Sequence, residues 1–409
     1  MNPTPFGANL PIIKESNRST VLSAIWKANP ISRIELAQLL RLAPTTVSRI
    51  VGEFMRIGLI REIGKKNRGV VGRKAILLEV NPKSFRVIGV DLGRESVTAV
   101  LMDLDGNIER KSVLNGGISG DSYIDNQNVV EIIKNLISHS GLDGKIIGIG
   151  VGAPGYVNNE EGIVVSAPRF PGWKNVPLRS LLEKSFGLRV CVDNDANTCA
   201  LAEKWFGITK NIDDFVYLAI EKGLGAGVVV GGKLYRGMDN AVGEIGHTTV
   251  NPAGSRCNCG NIGCLELYVT GPAFIKKARK LGLNDSEAAN SRSIFELARI
   301  GNSIAIHAVE DLVYYLGIGV VNVVNSFNPE VVVLGREVPQ AGKELLLKPL
   351  KRIVKERAFP TIRDKVKVAL GGVNEYPSAV GAATLLLVEL QKSPFALTGT
   401  RELLNKYVD

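Results

Sequence analysis

The chain is short of cysteine, of long apolar runs and, over its first fifth, of acidic residues, and each shortage narrows what it can be. Its 409 residues hold five cysteines, too few and odd in number for a disulfide-stapled secreted scaffold. No uninterrupted apolar run reaches the roughly 20 residues that a membrane span needs. Met1-Asn2-Pro3-Thr4-Pro5 shows no charged n-region leading into an apolar h-region, so the start does not read as a secretory signal and the expected location is the cytoplasm. Residues 1–80 hold 13 Lys+Arg against 5 Asp+Glu, or 13 − 5 = +8, and the remainder holds 37 against 35, or +2, of the total +10. Positive charge concentrated on a small module points to a polyanion partner; a solvated basic face is the plainer alternative. The length, with 45% hydrophobic residues, suits two or three soluble domains with sizeable cores.

What cysteine there is lies together. Cys257, Cys259 and Cys264 fall within eight residues, and His247 precedes them by a nine-residue spacer. This is a complete Cys₃His set for tetrahedral zinc, and four protein ligands leave no open position, so the metal is expected to be structural. It would pin a loop, 247–264, flanked by Glu244 and Glu266. The bland alternative is three ordinary cysteines in a Gly-rich turn. Cys191 and Cys199 read as reduced, semi-buried residues.

The basic module begins with a loose arm, residues 1–15. From Asn17 the spacing of Val21, Leu22, Ile25 and Trp26 predicts a helix that ends at Asn29-Pro30. Ser32-Arg33-Ile34-Glu35 is a capping box opening a second helix, with Ile34, Leu36, Leu39 and Leu40 offered to the core. After the turn Arg41-Leu42-Ala43, Pro44 suits the first turn of a third helix. That helix carries Val47, Ile50, Val51, Phe54 and Met55 inward and leaves Thr45, Thr46, Ser48, Arg49 and Arg56 outside. Two short helices joined by a tight turn form a helix-turn-helix. Small hydroxyl residues and arginine at the start of the second suit the major groove, letting the backbone approach phosphates and base edges. Strands over 59–63 and 75–80 flank a Gly-rich hairpin bearing Lys65, Lys66, Arg68 and Arg73, which reads as a wing. Arg33, Thr45, Thr46, Ser48, Arg49 and these wing residues are the candidate contacts to a double-stranded DNA operator. A basic helical dimerisation module is the alternative.

After Asn81-Pro82 the chain alternates strands and helices. Val87–Gly93 and Ser96–Asp103 form a strand, Gly turn and strand, and Phe215–Ile220 with Gly223–Val230 repeats the scheme. The repetition implies two similar lobes around a cleft, the layout of actin-like sugar kinases. The expected division is therefore a winged helix-turn-helix over 1–80 and an actin-like (RNase H-like) α/β domain over 81–409. Asn194, Asp195 and Asn197 cluster after the apolar strand Leu188–Val192, where ligand-binding residues often lie. A carboxylate beside amides can grip sugar hydroxyls, and in a kinase can take a proton from one. A helix cap formed by Asp195 or Asn197 is the structural alternative.

Together these segments resemble the ROK family (repressors, open reading frames and kinases), specifically its transcriptional repressor branch. The resemblance runs from about Asn17 to Leu387. It is carried by Ala153-Pro154-Gly155, the run Asp193–Asn197 with Glu203, Gly243-Glu244-Ile245-Gly246-His247, and Cys257-x-Cys259-Gly260-x-x-Gly263-Cys264-x-Glu266. It implies that His247, Cys257, Cys259 and Cys264 hold zinc. It also implies that Asn194, Asp195, Glu244, His247 and Glu266 line a monosaccharide pocket, with Asp195 matching the catalytic base of the family's kinases. The departures fall on the nucleotide side. Kinases of the family carry Asp-x-Gly-Gly-Thr, Gly-Thr-Gly and Gly-Gly; this chain has Asp91-Leu92-Gly93-Arg94-Glu95, Glu221-Lys222-Gly223 and Gly335-Arg336. Bare amides and a hydroxyl wrap phosphate, whereas a glutamate repels it. Arg94, Lys222 and Arg336 leave open another mode of phosphate binding. The expectation is a sugar-responsive repressor, not an enzyme, acting as a homodimer or homotetramer on DNA, with no membrane partner. An ATP-dependent sugar kinase with a DNA-binding head is one alternative; a repressor answering to another protein is the other.

Overall fold

The computed structural model describes residues 10–66, 75–138, 146–170 and 172–397. The head is built from α1 (Leu10–Ala28), β1 (Ile31–Ser32), α2 (Arg33–Leu40), α3 (Pro44–Arg56), β2 (Ile60–Lys66) and β3 (Ala75–Val80). The α2 start is the capping box read from the sequence: Ser32 caps the Glu35 amide and Glu35 answers to the Ser32 amide. Arg41 ends α2 in the left-handed conformation and Pro44 opens α3. Both β1 and β2 pair antiparallel with β3.

Two expectations for the head change. Helix α1 starts at Leu10, because Pro11 falls in a first turn, where its missing N–H costs nothing. In α2, Leu36, Ala37 and Leu40 share the inward face, so Ile34 and Leu39 are displaced from it and remain 54% and 62% exposed. Arg68 and Arg73 lie outside the described residues. Lys65 and Lys66 are placed only as backbone of β2.

The first lobe comprises β4 (Arg86–Leu92), β5 (Ser96–Met102), β6 (Ile108–Asn115), α4 (Ser122–Ser138), β7 (Ile146–Ala153), β8 (Tyr156–Asn158), β9 (Ile163–Ser166), β10 (Lys174–Val176), α5 (Leu178–Phe186) and β11 (Arg189–Asn194). Helix α6 (Asp195–Phe206) follows. The second lobe contains β12 (Phe215–Ile220), β13 (Leu224–Val230), β14 (Lys233–Leu234), α7 (Glu266–Val269), α8 (Gly271–Leu281), α9 (Ser291–Arg299), α10 (Ser303–Phe327), β15 (Val331–Gly335), α11 (Glu337–Gly342), α12 (Glu344–Arg357) and β16 (Lys367–Leu370). The chain then returns to the first lobe as α13 (Pro377–Lys392) and α14 (Pro394–Leu397).

The two main sheets share one strand order, β11-β7-β4-β5-β6 and β14-β13-β12-β15-β16. Each has an antiparallel meander on one side and parallel strands on the other. The parallel strands β4, β7 and β11 of the first sheet, and β12, β15 and β16 of the second, each bring their carboxyl ends to one end of the sheet, where ligands of open α/β sheets bind. Helix α10 is long and apolar enough to cross a membrane; its inward face, including Leu312, Leu316 and Val320, lies in the core of the second lobe.

One apolar cluster runs from the head into the first lobe. Val21, Ile25, Ile50 and Phe54 share it with Met102, Leu386 and Phe395. Trp26 meets Trp205 of α6 edge-on, centroids 5.3 Å apart, and Phe54 of α3 stacks on Phe395 of α14 at 5.8 Å. Against the sheet and against α6, α13 packs backbone to backbone: a Cβ on Gly150 of β7 would strike the Ala382 carbonyl oxygen, and one on Gly381 that of Thr198 in α6.

Candidate functional site

The cysteine loop folds as a donor cluster. The ligand atoms of His247, Cys257, Cys259 and Cys264 all lie within 4.8 Å of one another. Cys259 and Cys264 sulfurs are 3.7 Å apart, and Cys257 Sγ is 3.7 Å from His247 Nδ1. Tetrahedral Zn–S bonds of about 2.3 Å place sulfurs about 3.8 Å apart, so the residues fit the ion. Local backbone explains the convergence. Gly260 turns with φ 96° and Gly263 with φ 67°. The Cys257 amide donates to Asn261 O at 2.7 Å, and Asn261 Nδ2 donates to His247 O at 3.0 Å. Burial pushes the Cys257 thiol up to about 12, while the Asn261 amide pulls Cys259 down. Cys191 and Cys199 are free and buried, and burial pushes Cys191 up to about 11.

His247 ends a short 3₁₀ turn, Glu244–His247, entered through Gly243 at φ 104°. With Nδ1 on the sulfur side, its Nε2 stands 3.8 Å from Glu244 Oε2. Glu266 Oε1 lies 3.6 Å from Nδ1 and accepts the Cys257 thiol at 3.3 Å. Arg169, which sequence reasoning missed, donates to Glu266 Oε2 at 2.8 Å and to the Lys222 carbonyl. It comes from the irregular segment after β9, and no motif marks it.

Across the cleft, Asn194 is the cap of α6, accepting from the Ala196 and Asn197 amides at 2.9 and 3.4 Å. The cap is therefore Asn194, not Asp195 or Asn197. Its Nδ2 donates to Gly155 O at 2.9 Å, which leaves one N–H for anything else. Asn197 Nδ2 is spent on buried Asp193 at 2.9 Å. Asp195, first residue of α6, has its side chain 32% exposed beside Arg336. Burial pushes it above the ordinary carboxylate range, Arg336 pulls it down and Asp91 pushes it up.

The three departures on the nucleotide side pair with one another and with their neighbours. Lys222 Nζ holds Glu95 at 2.7 Å. Arg336 reaches Asp91 at 3.0 Å, Asp195 at 3.4 Å and Glu221 at 3.4 Å. These ties link β4 and the turn after it to the second lobe. Arg336 stands at φ 71°, ψ −165°, a region open essentially to glycine, where another residue costs about 1–3 kcal/mol and persists only if its surroundings hold it. Lys222 and Arg336 are thereby occupied by carboxylates, and Arg94 is exposed.

At the head, Thr45 and Ser48 are exposed and Thr46 half-buried at the start of α3. Arg49 leans on Glu53 at 2.6 Å. Arg33, its side chain 30% exposed, pairs with Glu62 at 2.9 Å and donates to Met55 Sδ at 3.3 Å. The anchor that sequence reasoning missed is Glu53, only 5% exposed, which also holds Arg18 at 2.8 Å.

A winged helix-turn-helix in front of a two-lobed kinase-type body, its nucleotide side filled by its own ion pairs, defines a transcriptional regulator built on a sugar-kinase fold. Residues 87–389 match the ROK family and residues 16–61 match a winged helix-turn-helix DNA-binding family. The xylose repressor of Caldicellulosiruptor bescii is 34% identical over 94% of this chain and 99% of its own. Among solved structures, a ROK family transcriptional regulator described as a homologue of the Escherichia coli MLC protein superposes with TM-score 0.82. It is 29% identical over 94% of this chain and 99% of that one. A ROK family glucokinase from Streptomyces griseus, in complex with glucose and AMPPNP, matches 73% of this chain and 98% of its own at TM-score 0.65 and 28% identity. The chain belongs to the ROK family.

Proposed function

We propose that the protein is a sugar-responsive repressor of carbohydrate genes, acting in the cytoplasm as a homodimer or homotetramer. Residues 1–80 serve as its DNA-binding domain and 81–409 as its sugar sensor. Thr45, Thr46, Ser48 and Arg49 read the operator groove, and Lys65, Lys66, Arg68 and Arg73 grip phosphates. Arg33, committed to Glu62, braces the head beside them. The sugar lies between Asp195 and the Glu244, His247 and Glu266 side, with Asn194 contributing its remaining N–H. Asp195 and the glutamates accept hydroxyl hydrogens. Zinc held by His247 Nδ1 and the thiolates of Cys257, Cys259 and Cys264 fixes the loop that presents Glu266 and turns His247 Nε2 outward; it supplies structure, not chemistry.

The observation that carries this reading is the pairing of Glu95 with Lys222 and of Arg336 with Asp91. The side where a nucleotide would bind is occupied by the protein's own charges, while Glu244 opposite, its side chain 60% exposed, remains open to a neutral ligand. Sugar binding alters the lobes, and the difference in sugar affinity between two lobe arrangements sets the change in operator affinity. The test is fluorescence anisotropy with the DNA upstream of the protein's own gene, with and without D-xylose, D-glucose and N-acetyl-D-glucosamine. One sugar should shift affinity, Asp195→Asn should lose that shift with DNA binding intact, and affinity should fall steeply with salt. A response in Asp195→Asn at wild-type sugar concentrations removes the pocket assignment. ADP formation at ordinary kinase rates removes the repressor-only reading.

A further inference from the structure

Space-filling alone does not explain Arg336. Its side chain is 14% exposed and its backbone sits in glycine territory. Three carboxylates from three separate elements converge on it: Asp91 from β4, Asp195 from α6 and Glu221 just past β12. The second oxygen of Asp91 accepts from Ser378 Oγ of α13 at 2.7 Å. Glu337 faces Glu221, Glu244 faces Asp195, and the buried Cys199 thiol lies beneath. Lys222, the neighbouring cation, is taken by Glu95. Three carboxylates drawn together in a partly buried cleft do not all stay ionised unless a cation stands among them.

We propose that Arg336 is the resident counter-ion of the cleft, a positioning residue that keeps Asp195 an ionised hydrogen-bond acceptor for the sugar and ties the second lobe to Asp91 of the first. Asp195 then receives a hydroxyl hydrogen bond without taking the proton, since the guanidinium offsets part of the negative charge gathered there. This rests on the sugar reading above, but its central consequence is measurable without sugar or DNA.

The decisive variant is Arg336→Gly, which removes the cation while easing the backbone, so lost stability cannot be blamed on strain. Burial already raises Asp195 and Glu221 in the wild type, with Arg336 opposing the shift; in the variant that opposition is gone and their folded-state pKa values rise further above the unfolded ones. Their contribution to stability is then present at low pH and lost as pH rises through those raised values. The full-length variant should melt close to the wild type at about pH 4, near the unfolded carboxyl pKa, and fall progressively further below it as pH rises to about 8. Adding Asp91→Asn should flatten that difference, and Arg336→Lys should recover much of it. A pH profile for Arg336→Gly parallel to the wild type overturns the proposal. Calorimetry with whichever of D-xylose, D-glucose and N-acetyl-D-glucosamine binds the wild type should show about tenfold weaker binding in Arg336→Gly, and less loss in Arg336→Lys. Unchanged sugar affinity in Arg336→Gly refutes the positioning role. If the wild type binds none of these sugars, the sugar reading falls and the melting profiles still decide for or against the counter-ion.

Discussion

Replacing Glu53 by alanine probes how the DNA-binding head is held to the body. Glu53 accepts Arg18 Nε at 2.8 Å and Arg49 at 2.6 Å. Arg18, 9% exposed, also reaches Glu15 at 3.1 Å, and its guanidinium lies 4.4 Å above the Phe395 ring of α14. Removing one partner of a buried ion pair costs about 3–5 kcal/mol, because the other charge is stranded. Glu15 still serves Arg18, so the low end applies, about 3 kcal/mol. Arg49, at 46% side-chain exposure, stands in an i,i+4 pair with Glu53, a geometry worth only about 0.3–0.5 kcal/mol. Glu53→Ala should therefore destabilise the head several times more than Arg49→Ala. In native-state hydrogen exchange, protection of α1 to α3 should fall by about two orders of magnitude in Glu53→Ala and by little more than about twofold in Arg49→Ala. Replacing Arg18 and Glu53 together by leucine should recover most of the loss, since an apolar pair leaves no stranded charge. Equal exchange rates in the two alanine variants would refute the reasoning.

Trp205→Leu removes the edge-on contact to Trp26, and such aromatic pairs are worth about 0.5–1.5 kcal/mol beyond the area they bury. The sugar-induced change in operator affinity should shrink by about two- to tenfold with sugar affinity unchanged; an undiminished change in anisotropy titrations argues against this contact as a route. Cys259→Ser should lower thermal stability and sugar response together, since it breaks the set that fixes Glu266 and His247. Because the thiols must lose protons to bind metal, a chelator should strip the wild type faster at about pH 6 than at about pH 8, read with a zinc-sensitive dye. The opposite order, or full sugar response in metal-free protein, contradicts the assignment.

Legibility in the sequence followed the range of the physics involved. The capping box at Ser32, the proline at the start of α3 and the Cys₃His spacing are local, so their residues stand close in the chain and the fold only completes them. The repeated strand–glycine–strand scheme likewise gave the two lobes, since hairpin and buried-strand patterns are short. What escaped was set by distant partners. Ile34 and Leu39 look like core residues until the inward face of α2 is known. That Asn194, rather than Asp195 or Asn197, caps α6 and holds Gly155 depends on how the strand β11 meets α6 and the turn after β7. The sequence marked Glu95, Lys222 and Arg336 as departures, but Lys222 finds Glu95, and Arg336 finds Asp91, only after the chain has closed both sheets. Glu53 carried no motif at all; its partner Arg18 lies on another helix.

The glycine-tight seating of α13 has a mechanical consequence. With α13 seated against β7 at Gly150 and against α6 at Gly381, and α14 placing Phe395 against Phe54 and Arg18, the head and the first lobe share one continuous packed seam. That seam suits them to move as one casting, with the second lobe shifting against it. Under the proposed function, a message from the cleft would reach DNA as a change in how whole castings are spaced, in the way that the jaws of callipers report a turn of the screw.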